Sequence, residues 1–304
     1  MKIVFLDHEV IDRGDIDWSR VEALGELKIY KQTASDEEAI ERLAGADAVM
    51  IDEYAIGRPI MEACPDLKFI GPAATGYNHI DLDCARQHGI AVCNVPAYST
   101  EAVAQHTIAL LLMLTNQIGG FDRDLHSGRW NTQVGTAYTP RPIQLLDGKS
   151  IGIIGYGNIG RKVAEIARAL GMSVHIYSRD PEAAIRSDVV SLHCPLTDEN
   201  RGMIDKAFLG KMKDGAILIN TARGALLDED AAAQALASGK LSGLGADVLS
   251  SEPPEADNPL LSAPNCVLTP HIAFTPLEIR QRVIDICADN LKSFLEGGDL
   301  NRIV

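Results

Sequence analysis

The chain has 304 residues, a net charge of −14 and 46% apolar content, a composition typical of a globular protein with one or two domains. We expect two domains. This acidic balance, without any run of Lys or Arg, argues against nucleic acid or an anionic membrane surface as a partner. The six cysteines form no C-x-x-C pair, which indicates reduced, mostly buried thiols rather than a zinc site or a disulfide framework.

The first part of the chain alternates short apolar runs with helical segments. The N-terminal run KIVFL is too short for a signal peptide and predicts a first strand, and DAVMI, LKFIG and IAVCNV predict further strands. Helices are expected near residues 35–44 and 81–88. This rhythm indicates a parallel α/β sheet. The longest apolar run, IALLLML, is far shorter than a membrane span, so a cytoplasmic location is predicted.

A long helix, predicted from about Thr100 to Gly119, leads into a second α/β unit that begins at Ser150. Six strand-like runs follow one another there: SIGIIG, SVHIYS, DVVSLHC, AILINTA, GLGADVL and CVLTPHI. The last predicted helix, from about Pro276 to Glu296, would return the chain to the first domain. The sequence therefore predicts an α/β protein with two parallel sheets.

A glycine-rich loop, GYGNIG, follows the first strand of the second unit and opens an amphipathic helix. Gly155 permits a tight turn, Gly157 allows a pyrophosphate to approach the backbone, and Gly160 allows close packing of helix on strand. The amides of Asn158 and Ile159 at the helix N-terminus would bind the phosphates. This context predicts a dinucleotide such as NAD or NADP.

Three later strands are each followed by unusual polar residues, in the segments INTARG, ADVLSSEP and TPHIA. The planar guanidinium of Arg223 can form two hydrogen bonds to a carboxylate. Asp247 and Glu252 are acids, and His271 follows a proline. Each residue alone could be a surface cation, a turn acid or a buried histidine. Together, beside a redox cofactor, they indicate an anion clamp with an acid–base pair.

These segments, in this order, resemble the D-isomer-specific 2-hydroxyacid dehydrogenase family, close to its glycerate dehydrogenase and hydroxypyruvate/glyoxylate reductase branch. The resemblance covers nearly the whole chain. The matching motifs are ATGYNHID, NVPAYSTEAVAQHT, GYGNIG, SLHCPLT, NTARG, DVLSSEP and TPHIA.

The resemblance implies a role for each of the polar residues. Arg223 would bind the substrate carboxylate and polarise the keto oxygen, His271 would act as the acid–base, and Glu252 would be its partner. Asp247 would meet the nicotinamide amide. Other positions would line the substrate (Ala74, Thr75, Gly76) or the cofactor (Cys194, Pro195, Thr221, Ala222).

The resemblance also implies a domain organisation. A flavodoxin-like substrate domain, residues 1–98 plus 279–304, would surround a Rossmann NAD(P)-binding domain, residues 99–278, both doubly wound, and the cleft would close on substrate. A homodimer would form through the region 100–130. No metal is expected, and His106, His126 and His193 are interpreted as structural.

Two alternatives remain open at this point. The transcriptional corepressors called C-terminal binding proteins resemble the same family and sense dinucleotides without turnover. Phosphoglycerate dehydrogenase acts on a phosphorylated substrate, but residues 43–57 contain no Lys or Arg for a phosphate and carry Asp52 and Glu53 instead. Short, unphosphorylated 2-keto acids are therefore expected, converted to D-2-hydroxy acids. Hydroxypyruvate, glyoxylate and pyruvate all belong to this class.

The segment YSRD bears on the choice between NAD and NADP. In NAD-selective relatives an acid at the end of the second strand binds the ribose hydroxyls, and here Ser178 holds that position. Arg179 could pair with a 2′-phosphate, so NADP(H) is favoured and dual use is possible. Alternatively, Arg179 points to solvent and Asp180 reaches the ribose. The segment 179–187 is also shorter than is usual, because the family inserts a further strand and helix there.

Overall fold

The computed structural model describes residues 1–131 and 136–304, which separate into two compact units. Unit 1 comprises Met1–Ser99 and Phe274–Val304, and unit 2 comprises Thr100–Ala273, so unit 2 is an insertion in the chain of unit 1. The resemblance implies a return to unit 1 at residue 279. The observed return is slightly earlier, and the segment after Phe274 is tied to the last helix by Arg280, whose Nε donates to the Thr275 carbonyl at 2.8 Å.

Unit 1 begins with five parallel strands: β1 (Lys2–Phe5), β2 (Glu26–Ile29), β3 (Ala48–Ile51), β4 (Phe69–Pro72) and β5 (Ala91–Val92). Their order across the sheet is β2-β1-β3-β4-β5. The connecting helices are α1 (Ser19–Glu22), α2 (Asp36–Leu43), α3 (Arg58–Ala63) and α4 (Leu82–His88). Four of these strands are predicted from the sequence, and β2 is the strand that the prediction misses.

Each face of this sheet carries its own hydrophobic cluster. Successive side chains of a strand point to opposite faces, so Val4 and Leu6 enter one cluster while Ile3 and Phe5 enter the other. A strand that is buried on both faces needs a cover of helices on each side. This arrangement is the doubly wound architecture predicted from the sequence.

Unit 2 starts with two helices, α5 (Thr100–Asn116) and α6 (Ile118–His126). The prediction of one helix from Thr100 to Gly119 is wrong in its last turn. Gln117 adopts a left-handed conformation with φ of 54°, which ends α5 and starts α6 in a new direction.

The sheet of unit 2 has six parallel strands: β6 (Ser150–Ile154), β7 (Ser173–Ile176), β8 (Val189–Leu192), β9 (Ala216–Asn220), β10 (Leu241–Ala246) and β11 (Cys266–Leu268). Their order is β11-β10-β9-β8-β6-β7. In the sheet, β7 lies on one side of β6 and β8 lies on the other. The chain therefore crosses over β6 between β7 and β8. This reversal creates a crevice at the carboxyl ends of β6 and β8, where open α/β sheets bind ligands.

The helices between these strands are α7 (Asn158–Ala169), α8 (Pro181–Ile185), α9 (Lys206–Lys211) and α10 (Glu229–Ala237), with short 3-10 helices at Gly224–Leu226 and Pro259–Leu261. Helix α8 occupies the short segment after β7. It packs so closely on β6 that a Cβ atom at Gly152 would collide with the backbone of Ala184. The short segment is therefore an ordered helix at the β7 edge of the sheet.

The last helix, α11 (Leu277–Leu295), belongs to unit 1, where Val283, Ile284, Cys287 and Leu291 join the cluster that contains Phe5. All six cysteines are free thiols, and four of them are buried, as the sequence predicts. Over residues 1–131 and 136–304, no helix is both long and apolar enough to cross a membrane.

Candidate active site

The GYGNIG loop forms the turn between β6 and α7. Gly155 has φ of +94°, and a Cβ atom there would collide with the backbone of His193 and Cys194. Gly157 is the N-cap of α7 in an extended conformation and makes no side-chain cap. A Cβ atom at Gly157 would meet nothing within 4 Å, so the space before the helix is open. Open space beside uncapped backbone amides and the positive end of a helix dipole fits a pyrophosphate.

The segment after β7 gives Ser178 and Arg179 exposed side chains. The Arg179 guanidinium carbon lies 5.5 Å from the ring centroid of Tyr156, a residue of the glycine-rich loop. Asp180 is the N-cap of α8, and its Oδ1 accepts a hydrogen bond from the Ala183 amide at 3.0 Å. The Asp180 carboxylate is thus used in capping a helix, and the Arg179 cation is turned toward the glycine-rich loop.

Arg223 lies on the loop that follows β9 and is exposed. The fully buried Asn220 shapes this loop, because its amide donates to the Arg223 carbonyl at 2.9 Å and its Oδ1 accepts from the Ala222 amide at 3.0 Å. The Arg223 Nη1 donates to the Ala222 carbonyl at 2.7 Å. Because the Arg223 side chain is exposed, its charge is accessible to an anion.

The segment after β10 carries Glu252 close to His271. A Cβ atom at Gly224, next to Arg223, would collide with the backbone of Leu249 and Ser250, so this segment passes directly against the Arg223 loop. Glu252 Oε1 accepts from the Leu249 amide at 2.9 Å, and Glu252 Oε2 lies 2.6 Å from His271 Nδ1. The structure thus brings the carboxylate and the imidazole into direct contact.

The Glu252–His271 contact changes the pKa of both groups. The hydrogen bond to Glu252 raises the pKa of His271, while burial and the nearby positive charge of Arg223 oppose that rise. Burial works to raise the pKa of Glu252, but the hydrogen bonds from His271 and Leu249 outweigh it and the pKa is lowered. The pair therefore favours a charged imidazolium beside a carboxylate, with the Arg223 cation nearby.

Asp247, at the end of β10, is 1% exposed, and its carboxylate is held by the segment that carries His271. Oδ1 accepts from the Thr269 hydroxyl at 2.5 Å and from the Ile272 amide at 2.9 Å, and Oδ2 accepts from the Ala273 amide at 2.8 Å. Burial works to raise its pKa, but hydrogen bonds, from His106 first, lower it. The predicted contact of Asp247 with a nicotinamide amide stays a prediction.

Comparison with known proteins decides the family. The family model described as D-isomer specific 2-hydroxyacid dehydrogenase, NAD binding domain, matches residues 108–273. This chain belongs to the D-isomer specific 2-hydroxyacid dehydrogenase family. It is an enzyme of that family, an oxidoreductase with an NAD(P)-binding domain, and the fold described above is the one that the sequence predicts.

Three relatives show how far this dehydrogenase resembles known proteins. The hydroxypyruvate reductase of Blautia hydrogenotrophica is 42% identical, covering 99% of each chain. The glycerate dehydrogenase of Methylorubrum extorquens is 38% identical, covering 99% of this chain and 98% of that one. The solved structure of an acyclic imino acid reductase in complex with NADPH and D-Arg is 30% identical, with a TM-score of 0.87 and full coverage of both chains.

The other predicted cofactor positions lie on the same edge of the unit 2 sheet. Cys194 and Pro195 follow β8, and burial raises the pKa of the Cys194 thiol. Thr221 and Ala222 follow β9 and are buried, and the Thr221 hydroxyl lies 2.8 Å from that of Thr107 on α5. The predicted cofactor residues therefore gather around the crevice between the strands.

The predicted substrate residues Ala74, Thr75 and Gly76 lie in unit 1, on the loop after β4. The loop is tied down from the end of β5: the Val95 amide donates to the Ala74 carbonyl at 3.0 Å, and the Thr75 hydroxyl donates to the Val95 carbonyl at 2.8 Å. These bonds fix the loop on the carboxyl edge of the unit 1 sheet.

Sequence reasoning misses several residues that shape these loops. Asp7, at the end of β1, accepts the amides of Asp52, Glu53 and Tyr54 at 2.7–2.8 Å, and burial raises its pKa. The predicted structural histidine His106 contacts Thr269. An Asp directly after a strand is a usable signal for loop capping. No local signal connects His106 with Thr269, because the two lie 163 positions apart in the chain.

Proposed function

We propose that this dehydrogenase reduces short, unphosphorylated 2-keto acids, with hydroxypyruvate or glyoxylate preferred, to D-2-hydroxy acids. The observation that carries the proposal is the 2.6 Å contact between Glu252 and His271. The positive charge of Arg223 lies close enough to act on the pKa of His271. An acid–base pair and an anion clamp next to a dinucleotide loop are what reduction of a 2-keto acid requires. The similarity of this chain to a hydroxypyruvate reductase and to a glycerate dehydrogenase supports the proposal.

Each catalytic residue has a separate task in this proposal. A dinucleotide bound at the glycine-rich loop would supply hydride to the carbonyl carbon. Arg223 binds the substrate carboxylate and stabilises the negative charge that develops on the keto oxygen. His271 gives that oxygen a proton from Nε2, because Nδ1 is engaged by Glu252. Glu252 holds the ring orientation and stabilises the imidazolium before the transfer.

The dinucleotide would be held by residues of unit 2 around the crevice. The amides of Asn158 and Ile159 at the start of α7 would bind the pyrophosphate, with Gly155, Gly157 and Gly160 making room for it. The other proposed cofactor residues are Ser178, Arg179, Cys194, Pro195, Thr221, Ala222 and Asp247. In unit 1, the loop of Ala74, Thr75 and Gly76 would contact the substrate.

The preference for an unphosphorylated substrate rests on the charges of the loop after β3. This loop carries Asp52 and Glu53, and the Asp7 carboxylate accepts the amides of both. Arg58, the next cation along the chain, pairs with Glu62 at 3.4 Å. A phosphate near this loop would therefore meet negative rather than positive charge.

The substrate proposal is tested by initial rates with a panel of 2-keto acids and both reduced nicotinamides. We expect hydroxypyruvate or glyoxylate to have the highest kcat/KM and phosphohydroxypyruvate to be poor, because residues 43–57 contain no Lys or Arg to receive its phosphate. Phosphohydroxypyruvate as the best substrate would refute the substrate proposal. Absence of turnover with every 2-keto acid would refute 2-keto acid reduction as the function of this dehydrogenase.

We further propose that NADPH is used at least as well as NADH. Asp180 caps α8 and would not bind the ribose, Ser178 offers no charge against a 2′-phosphate, and Arg179 lies beside Tyr156. A guanidinium and a phosphate form charge-assisted hydrogen bonds. The imino acid reductase that resembles this chain was solved with NADPH.

Replacing Arg179 by alanine is expected to raise KM for NADPH about tenfold or more, because a hydrogen bond to a charged group contributes about 1.5–3 kcal/mol. KM for NADH should change little. Arg186→Ala is the matched control, since Arg186 is also an exposed arginine of the α8 region and pairs with Glu182 at 3.3 Å. A strong NADH preference in the wild type, or equal changes for both cofactors in Arg179→Ala, would rule out this proposal.

We also propose a homodimer that forms through the α5–α6 region. Several large apolar side chains are exposed in or after this region: Ile118, Leu125, Trp130, Ile143 and Leu145. An apolar surface of this kind is typical of a surface covered by a second copy. Light scattering that gives the monomer mass of 32.8 kDa would contradict the dimer.

A further inference from the structure

The segment that carries His271 is connected to helix α5 by a chain of three side chains. His106, on α5, places Nε2 at 2.9 Å from the Thr269 hydroxyl oxygen and at 3.4 Å from Asp247 Oδ1. The Thr269 hydroxyl in turn lies 2.5 Å from Asp247 Oδ1. All three residues belong to unit 2, and Asp247 is almost completely buried.

The direction of these hydrogen bonds follows from the number of hydrogens available. A threonine hydroxyl has one hydrogen, and an ionised carboxylate can only accept. Thr269 must therefore donate its hydrogen to Asp247, which leaves a lone pair facing His106. His106 consequently carries its proton on Nε2 and donates to Thr269. The chain of donors runs from His106 through Thr269 to Asp247.

The backbone around His271 needs such support. His271 has φ of +52°, a left-handed conformation that costs a residue with a Cβ atom roughly 1–3 kcal/mol. Asp247 holds this conformation from both sides, because its carboxylate accepts from Thr269, Ile272 and Ala273 and its carbonyl accepts from the His271 amide at 2.8 Å. The orientation of Asp247 therefore fixes the position of the His271 backbone.

We propose that His106 is a positioning residue, which acts through Thr269 and Asp247 to hold His271 in contact with Glu252. The proposal rests on the proposed function, in which His271 is the proton donor. The charged groups that face His271 in unit 2 are Glu252, Asp247 and Arg223. A change at His106 would shift the imidazole relative to all three. A displacement of about 1 Å at a catalytic group can reduce a rate about 100-fold.

The neighbouring residue on α5 shows that the helix contacts both catalytic loops. The Thr107 hydroxyl donates to the Val103 carbonyl at 2.8 Å and lies 2.8 Å from the Thr221 hydroxyl, at the start of the Arg223 loop. His106 and Thr107 thus reach the His271 segment and the Arg223 loop from consecutive positions. A His106 substitution should therefore act on the His271 segment, while the contact of Thr107 with the Arg223 loop is kept.

The experiment compares His106→Leu, which removes both ring nitrogens, with His106→Gln, whose amide can again donate to Thr269. The exposed neighbour Gln105 supplies the matched control, Gln105→Leu. For each variant, NMR titration of the His271 Cε1–H signal gives the pKa of His271, with the signal assigned from a His271→Gln variant. Initial rates with hydroxypyruvate and NADPH give kcat and KM.

We expect His106→Leu to move the pKa of His271 back toward its ordinary value of about 6.5 and to lower kcat about 10- to 100-fold. His106→Gln should recover most of both losses. A His106→Leu protein that melts at a lower temperature but keeps the His271 titration and the kcat of Gln105→Leu would overturn the proposal.

A second pair of variants tests the same connection if His106→Leu does not fold. Thr269→Val removes the hydroxyl that joins His106 to Asp247, whereas Thr269→Ser keeps it. We expect only the valine variant to reproduce the change in His271, and identical titrations in both would overturn the proposal. The NMR titration needs no turnover, so it still reports on His106 if the wild-type protein reduces no 2-keto acid and the proposed function fails.

Discussion

Replacement of His271 by alanine is expected to lower kcat for 2-keto acid reduction about 100- to 10,000-fold, the usual contribution of a positioned general acid. The reason is that the keto oxygen would lose its proton donor, while the glycine loop and α7 remain unchanged. Dinucleotide affinity, measured by fluorescence titration with NADPH, should therefore stay close to that of the wild type. A kcat near the wild-type value in this variant would remove His271 from the mechanism.

Glu252→Gln changes the other residue of the Glu252–His271 contact. Reduction needs His271 in its protonated form, so kcat/KM should be highest below the pKa of His271 and fall as the pH rises through it. The hydrogen bond to Glu252 raises that pKa. Removing the carboxylate should therefore make kcat/KM fall at a lower pH than in the wild type. Identical pH profiles for Glu252→Gln and wild type would contradict the assigned partnership.

The parts of the fold that the sequence predicts are those in which a strand is buried on both faces. The residues of β3 and β4 are buried throughout, and a run of apolar residues is visible without knowledge of the neighbours. β2 (Glu26–Ile29) is an edge strand with two of its four residues charged and most of them exposed. Such a segment has no apolar run, so its pairing with β1 is apparent only in the sheet.

The break between α5 and α6 could not be predicted for a different reason. Residues 100–119 contain no proline and no glycine before Gly119, and Gln117 is a good helix former. Its left-handed conformation therefore has no signal in the sequence. In contrast, the sequence does carry a signal for the N-cap of α8, because an Asp followed by Pro181 is a typical helix start. This signal argues against Asp180 as a ribose ligand.

The candidate site shows the same limit at the level of side chains. Arg223, Asp247 and His271 all follow strands, and the carboxyl ends of parallel strands meet at one edge of a sheet, so the sequence can place them together. The sequence does not show which side chain each of these three residues contacts. The His106–Thr269 bond joins a helix near the start of unit 2 to a loop near its end, and it depends on the packing of α5 against β10 and β11.

Arg223 is the second residue whose loss should have a large effect. Its loop is shaped by Asn220 and by the close approach of Leu249 at Gly224, so a substitution at residue 223 leaves the backbone contacts in place. The guanidinium alone combines a permanent charge with a planar fork that matches a carboxylate. Both properties are needed if it binds the substrate carboxylate and stabilises the developing oxyanion.

Arg223→Gln is accordingly expected to lower kcat/KM for the 2-keto acid about 100- to 1,000-fold, the usual cost of removing one oxyanion donor, with KM rising as well. KM for NADPH should change far less, because the proposed task of Arg223 is on the substrate. Steady-state kinetics with hydroxypyruvate measure both values, and Arg223→Lys is the control that keeps the charge but loses the fork. If Lys restores the wild-type kcat/KM, the fork is not needed and charge alone explains the role. If Arg223→Gln raises KM for NADPH as much as for the keto acid, Arg223 acts on the cofactor and the assignment is wrong.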